Sequence, residues 1–126
     1  MRPYNQHTEW VESWLQRAPS QHQELLNEVR EFILSFDKRI EEYYKYKLPM
    51  YSIKKNICYL HVDTKTQKPY IGFLNGKIMQ EQFPETSRYI VGESQKRVRQ
   101  YWLSKELNVD HLGLLLNIAM ELDSTL

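Results

Sequence analysis

The stretch from Glu41 to Gly76, EEYYKYKLPMYSIKKNICYLHVDTKTQKPYIGFLNG, constrains the fold most, because its apolar residues recur at every second position between turn signals. Asn56 to Val62 is the clearest strand, with Ile57, Tyr59 and His61 on one face and Cys58, Leu60 and Val62 on the other. Both faces are largely apolar. Either the sheet is covered on both sides, or one side carries an aromatic surface that meets a partner or ligand. Pro49 forces Leu48 out of the helical region, which puts another strand at Met50 to Ile53. Pro69 to Leu74 reads as a further strand, closed by a turn at Asn75-Gly76, where both residues tolerate positive φ. The charged, tyrosine-rich run from Lys38 to Lys47 reads as a connection becoming extended before Pro49.

Helical patterns stand on either side. Thr8 is placed to cap a short helix through Arg17, with Trp10, Trp14 and Val11 on its apolar side. Ser20 with Gln23 makes a capping-box signal for a second helix. Its stripe of Leu25, Leu26, Val29, Phe32, Ile33 and Phe36 should lie against the sheet and end near Asp37. Lys77 to Glu93 has no clear period, Gly92 reads as a turn, and the basic run Lys96 to Leu103 reads as a strand. Asn108 or Asp110 can cap a last helix whose buried face runs from Val109 through Leu112, Leu115, Leu116, Ile118 and Ala119 to Leu122. A chain of 126 residues suits one domain with its own core. The expected fold is α+β, an antiparallel sheet packed by N-terminal and C-terminal helices over residues 1–126, with 1–18 as an N-terminal helical extension.

A formal net charge of +1 gives no overall pull toward nucleic acid or anionic lipid, so such a partner would need a local patch. The single cysteine, Cys58, excludes an internal disulfide and a cysteine-rich zinc site and fits a reducing, cytoplasmic setting. The N-terminal MRPYNQHTEWVESW has no signal-peptide core, and no window approaches the length of a membrane span.

Three groups of side chains carry candidate chemistry. Glu24, Glu28 and Glu31 fall at i, i+4 and i+7 of one helix, either a row of oxygen ligands for a hard cation such as iron or a solvated face. Lys96 and Arg99 are two cations able to hold a carboxylate or phosphate, although residues three apart on a strand point to opposite faces. An ion pair from Glu42 to Arg99 is the competing reading. Arg88, Lys96, Arg97 and Arg99 with Tyr101 and Trp102 mix cations with stacking rings, but the near-neutral chain argues against a nucleic-acid partner. Cys58 and His61 fall on opposite faces, and His61 with Asp63 supplies two metal ligands where a closed zinc site needs four. No catalytic constellation is spelled out, so the domain is expected to be non-enzymatic.

In this order, ELLNEVREFIL, EEYYKYKLPMYS, ICYLHV, KPYIGFLNG, GESQKRVRQYWL and a leucine-rich helix begun by NVDHL, the chain resembles the DUF1801 or YdhG-like family over roughly Pro19 to Leu122. Lys47-Leu48 stands before Pro49 where the family pattern usually has Trp-Gly or similar. The resemblance implies a small α+β domain, frataxin-like in shape, with an intracellular binding role. Iron binding or delivery is one expectation and a small anionic ligand the other. By position it marks Glu42, Pro49, Tyr51, Gly72, Phe73, Gly76, Lys96 and Arg99. Among these, Lys96, Arg99, Glu42 and Tyr51 are the expected ligand contacts, with Tyr51 and Phe73 also read as core, while Pro49, Gly72 and Gly76 are assigned to turn geometry or close packing.

Overall fold

The computed structural model describes residues 5–92 and 96–126. Five strands, β1 (Glu41–Lys45), β2 (Leu48–Ser52), β3 (Asn56–Val62), β4 (Pro69–Phe73) and β5 (Arg99–Trp102), lie side by side in sequence order. All neighbours are antiparallel. The helices are α1 (Gln6–Arg17), α2 (Ser20–Phe36), α3 (Gly76–Gln82) and α4 (Val109–Thr125), with a 3-10 turn at Pro84–Arg88. The expected α+β architecture with an antiparallel sheet is what the chain adopts.

The helices are held by one-sided burial. On α2, Leu26, Val29 and Ile33 are fully buried, and on α4 Leu112, Leu115 and Leu116 meet them in the same core. Asn108 caps α4 by accepting the His111 backbone N–H at 3.0 Å. Val109, counted in its buried face, is instead exposed. Two other caps differ from expectation. Asn5, rather than Thr8, caps α1, its side-chain oxygen accepting from the Thr8 N–H at 3.0 Å. No side chain caps α2 in place of the Ser20–Gln23 box, because Gln23 donates backwards to the carbonyls of Ala18 and Gln16, at 2.8 and 3.0 Å. Val11 and Leu15 face the core from α1, while Trp10 stays exposed beside His7 and Tyr44. This first helix therefore contributes to the core.

The run read as a connection contains β1. Lys45 pairs with Leu48 across a two-residue hairpin turn in which Tyr46 and Lys47 both have positive φ, 56° and 61°. Such turns normally take Asn and Gly, since a Cβ is crowded there. Changing Tyr46→Asn with Lys47→Gly is expected to raise stability by about 1 kcal/mol. A urea midpoint that fails to rise would contradict a strained turn.

At Asn75-Gly76 the chain starts α3 instead of making the expected hairpin, and neither residue has positive φ. Gly76 is needed for proximity, because a Cβ there would lie 2.3 Å from the Arg99 Cβ. Of the basic run, only Arg99–Trp102 is strand, and Glu93 to Gln95 lie outside the described residues. At one sheet edge His7 Nδ1 accepts the Tyr44 backbone N–H at 3.0 Å. At the other, Val91 and Gln100 exchange both backbone hydrogen bonds, at 2.7 and 3.0 Å.

Candidate functional site

Strand alternation gives the sheet two different faces. The row Tyr51, Cys58, Phe73 and Arg99 points toward the helices, and all four residues are buried. The adjacent row, Met50, Tyr59, Gly72 and Gln100, points the other way, followed by His61, Tyr70 and Trp102. Met50 and Tyr70 are buried, at 2% and 6% exposure, yet neither belongs to the helix-side core. This face of the sheet therefore carries an aromatic surface outside the helix-side core, and α3 reaches that surface at the rim through Ile78.

On that open face the rings form a chain. Ring centroids are 4.8 Å apart for Tyr70 and Trp102, 5.5 Å for His61 and Tyr70, and 6.2 Å for Tyr59 and Tyr70. Gly72 makes room for this, since a Cβ on it would stand 2.2 Å from the tip of the Tyr59 ring. Together with Leu48, Met50, Leu74 and Ile78, the rings of Tyr59 and Tyr70 line a cavity of about 880 Å³. Lys55, Asn56, Asn75 and Arg97 also line it. Burial raises the Tyr59 hydroxyl above its ordinary value, with the Tyr70 hydroxyl adding to the effect. Burial also lowers the His61 imidazole, against the opposing charge of Asp63. Both groups are therefore neutral at pH 7, and the aromatic part of the cavity is uncharged.

Of the residues expected to bind a ligand, Glu42, Tyr51 and Arg99 are engaged in internal contacts. Glu42 pairs with Arg30 and not with Arg99. Arg30 Nε donates to one carboxylate oxygen at 2.9 Å and its Nη2 to the other at 2.8 Å, while the Tyr51 hydroxyl donates to the first at 2.8 Å. Burial opposes the charge on Arg30, but Glu42 more than compensates and raises its pKa. The Tyr51 hydroxyl is pushed well up, by burial first and by Glu42 second. Arg99 is also buried, with Nε donating to Gln80 Oε1 at 2.8 Å and Nη1 to the carbonyls of Val98, at 3.0 Å, and Lys96. Lys96 offers Arg99 this carbonyl and is itself exposed. Strand alternation turns Arg99 and Glu42 toward the helices, where Glu42 pairs with Arg30 in place of Arg99 and the Arg99 guanidinium is taken up by Gln80 and backbone carbonyls.

Glu24, Glu28 and Glu31 are exposed along α2. A span of seven residues puts the first and last about 10 Å apart along the axis, so the row does not close around a point. Among the described residues no three His, Cys, Asp or Glu side chains gather as a metal site. Cys58 is fully buried, and burial alone pushes its thiol up to about 12, which leaves it protonated and inert. His61 is on the opposite face. The stacking-cation cluster is likewise divided, with Arg99 and Tyr101 on the helix side and Trp102 on the open side.

Sequence reading did not single out Lys55 and Arg97 as a pair, nor Arg30. Arg30 had a visible signal, since it continues the buried stripe at four residues after Leu26 and three before Ile33. For Lys55 and Arg97 there was none, because only the sheet topology brings the two segments to one cavity.

The chain is a five-stranded antiparallel meander with its helical core on one face and an aromatic cavity on the other, a small α+β domain. Among solved structures, the chain is similar to a protein from the DUF1801 family, YdhG of Bacillus subtilis, with a TM-score of 0.67 over 93% of each chain. Sequence identity is 16%, so the likeness concerns the fold. No protein-family model and no curated protein sequence matches the chain. Among the described residues, no helix is long and apolar enough to cross a membrane.

Proposed function

We propose that the chain is a non-enzymatic cytoplasmic binding domain for a small anionic molecule, held on the open face of the sheet. The observation that carries this reading is the cavity itself. Its volume of about 880 Å³ falls within the roughly 300–1,000 Å³ of small-molecule sites. Its lining combines apolar rings with two cations, Lys55 and Arg97. The anion reading therefore moves from Lys96 and Arg99 to a different pair. The iron reading gains nothing from the geometry, because the glutamate row on α2 offers a metal no convergent set of oxygens.

Titrating a panel of small organic acids into the 15N-labelled protein tests the proposal. At least one acid should move the backbone amides of Met50, Tyr59, Tyr70 and Leu74 in a saturable way. No saturable shift with any acid, or shifts confined to α2, would overturn it.

A further inference from the structure

The cavity is polar along its length, and this bears on the shape of its ligand. Asn56 begins β3 and His61 lies five residues on, about 16 Å along the strand. At the Asn56 end, the Leu74 N–H donates to the Ile57 carbonyl at 3.1 Å and the Lys77 N–H to the Arg97 carbonyl at 2.8 Å. These bonds bring the β4–α3 junction and the segment before β5 to that same end. Lys55, Asn56, Asn75 and Arg97 are therefore grouped together at one end. Tyr59, Tyr70 and the neutral His61 occupy the middle and the far end.

Among the described residues, the side chains of Lys55, Arg97, Asn56 and Asn75 hold no hydrogen bond or ion pair. Their counterparts on the helix side of the sheet, Arg30 and Arg99, are engaged in internal hydrogen bonds. Two uncommitted cations with two amides beside them form a complementary setting for one carboxylate, sulfonate or phosphate group. No formal charge lines the cavity further along, where the rings of Tyr59, Tyr70 and His61 with Met50 offer uncharged and largely apolar area.

Building on the small-anion reading, we infer that the ligand is an elongated, single-headed amphipathic anion. Its acidic head lies between Lys55 and Arg97, and an aromatic or extended apolar body lies over Tyr59 and Tyr70. A single-stranded nucleic acid fits less well, because its repeating phosphates call for cations along the whole groove, and here they stand at one end.

Two aromatic sulfonates with the same head and different bodies test this: anilinonaphthalene sulfonate and benzenesulfonate. Affinities are read by amide-shift titration of the parent protein, Lys55→Gln/Arg97→Gln and Tyr59→Ala, each first shown to melt as a folded protein. The longer sulfonate should bind at least about tenfold more tightly than benzenesulfonate, since it covers more of the apolar area. The double charge change should weaken it about tenfold, and Tyr59→Ala should weaken it while leaving benzenesulfonate unaffected. Equal affinity for the two sulfonates would overturn the elongated ligand and leave the small-anion reading standing. If neither moves the cavity amides, both readings fall. Displacement of the bound sulfonate by an oligothymidylate at lower concentration would overturn the inference in favour of a nucleic acid.

Discussion

Replacing Glu42 by alanine is expected to destabilise the protein by about 3–5 kcal/mol, the range for breaking one side of a buried ion pair. The carboxylate has 6% of its side chain exposed and accepts three hydrogen bonds, two from Arg30 and one from Tyr51. Without it, Arg30 keeps a buried charge whose nearest other acid is Glu12, 4.0 Å away and mostly exposed. The Tyr51 hydroxyl, on a residue with no exposed surface, loses its acceptor. The effect should be non-additive: once Arg30 is methionine and Tyr51 phenylalanine, changing Glu42 to leucine leaves no uncompensated polar group and should recover most of the loss. Chemical denaturation of the single and triple variants reads this directly. A Glu42→Ala protein within about 1 kcal/mol of the parent would show the network to be dispensable.

The two glycines of the Gly72–Gly76 segment should respond to alanine to very different extents. At Gly76 the new methyl meets the Arg99 Cβ at 2.3 Å and its backbone nitrogen at 2.7 Å. Neither atom is at liberty, since β5 is paired with β4 and the Arg99 guanidinium is tied to Gln80, which itself donates to the Ile90 carbonyl at 2.9 Å. Overpacking against backbone there should cost about 3 kcal/mol. At Gly72 the methyl meets only the far end of the Tyr59 ring, at 2.2 Å, and that ring borders open space. It can swing aside for about 1 kcal/mol. Gly72→Ala should therefore keep most of its stability and still alter binding in the cavity, whereas Gly76→Ala loses stability. Equal losses in thermal melts of the two variants would contradict this account.

Elements with strong local contrast were legible from the sequence. The β3 alternation, the α2 stripe and the Asn108-capped α4 each declare their buried side within a few residues. β1 did not, because its turn uses Tyr46 and Lys47 where a hairpin signal would be Asn-Gly, and its strand is mostly charged and tyrosine-rich. α3 was hidden by its seven-residue length and by an Asn-Gly pair that serves as a helix start. For the candidate site, the aromatic face of β3 was visible in Tyr59 and His61. The partners of Glu42 and Arg99 were not, since ion-pair choice depends on which face each strand turns to a given helix. The family resemblance reached the fold correctly and carried no information about which cations stay uncommitted.

The contacts at the two outer strands set how this sheet can meet other chains. An open antiparallel edge invites a foreign strand to continue it, the usual route to fibrils and swapped assemblies. An incoming strand on one side would have to displace His7 from the Tyr44 amide, and on the other it would have to break the Val91–Gln100 pair. Lateral growth is thus guarded at both ends, and recognition is left to the exposed faces of the molecule.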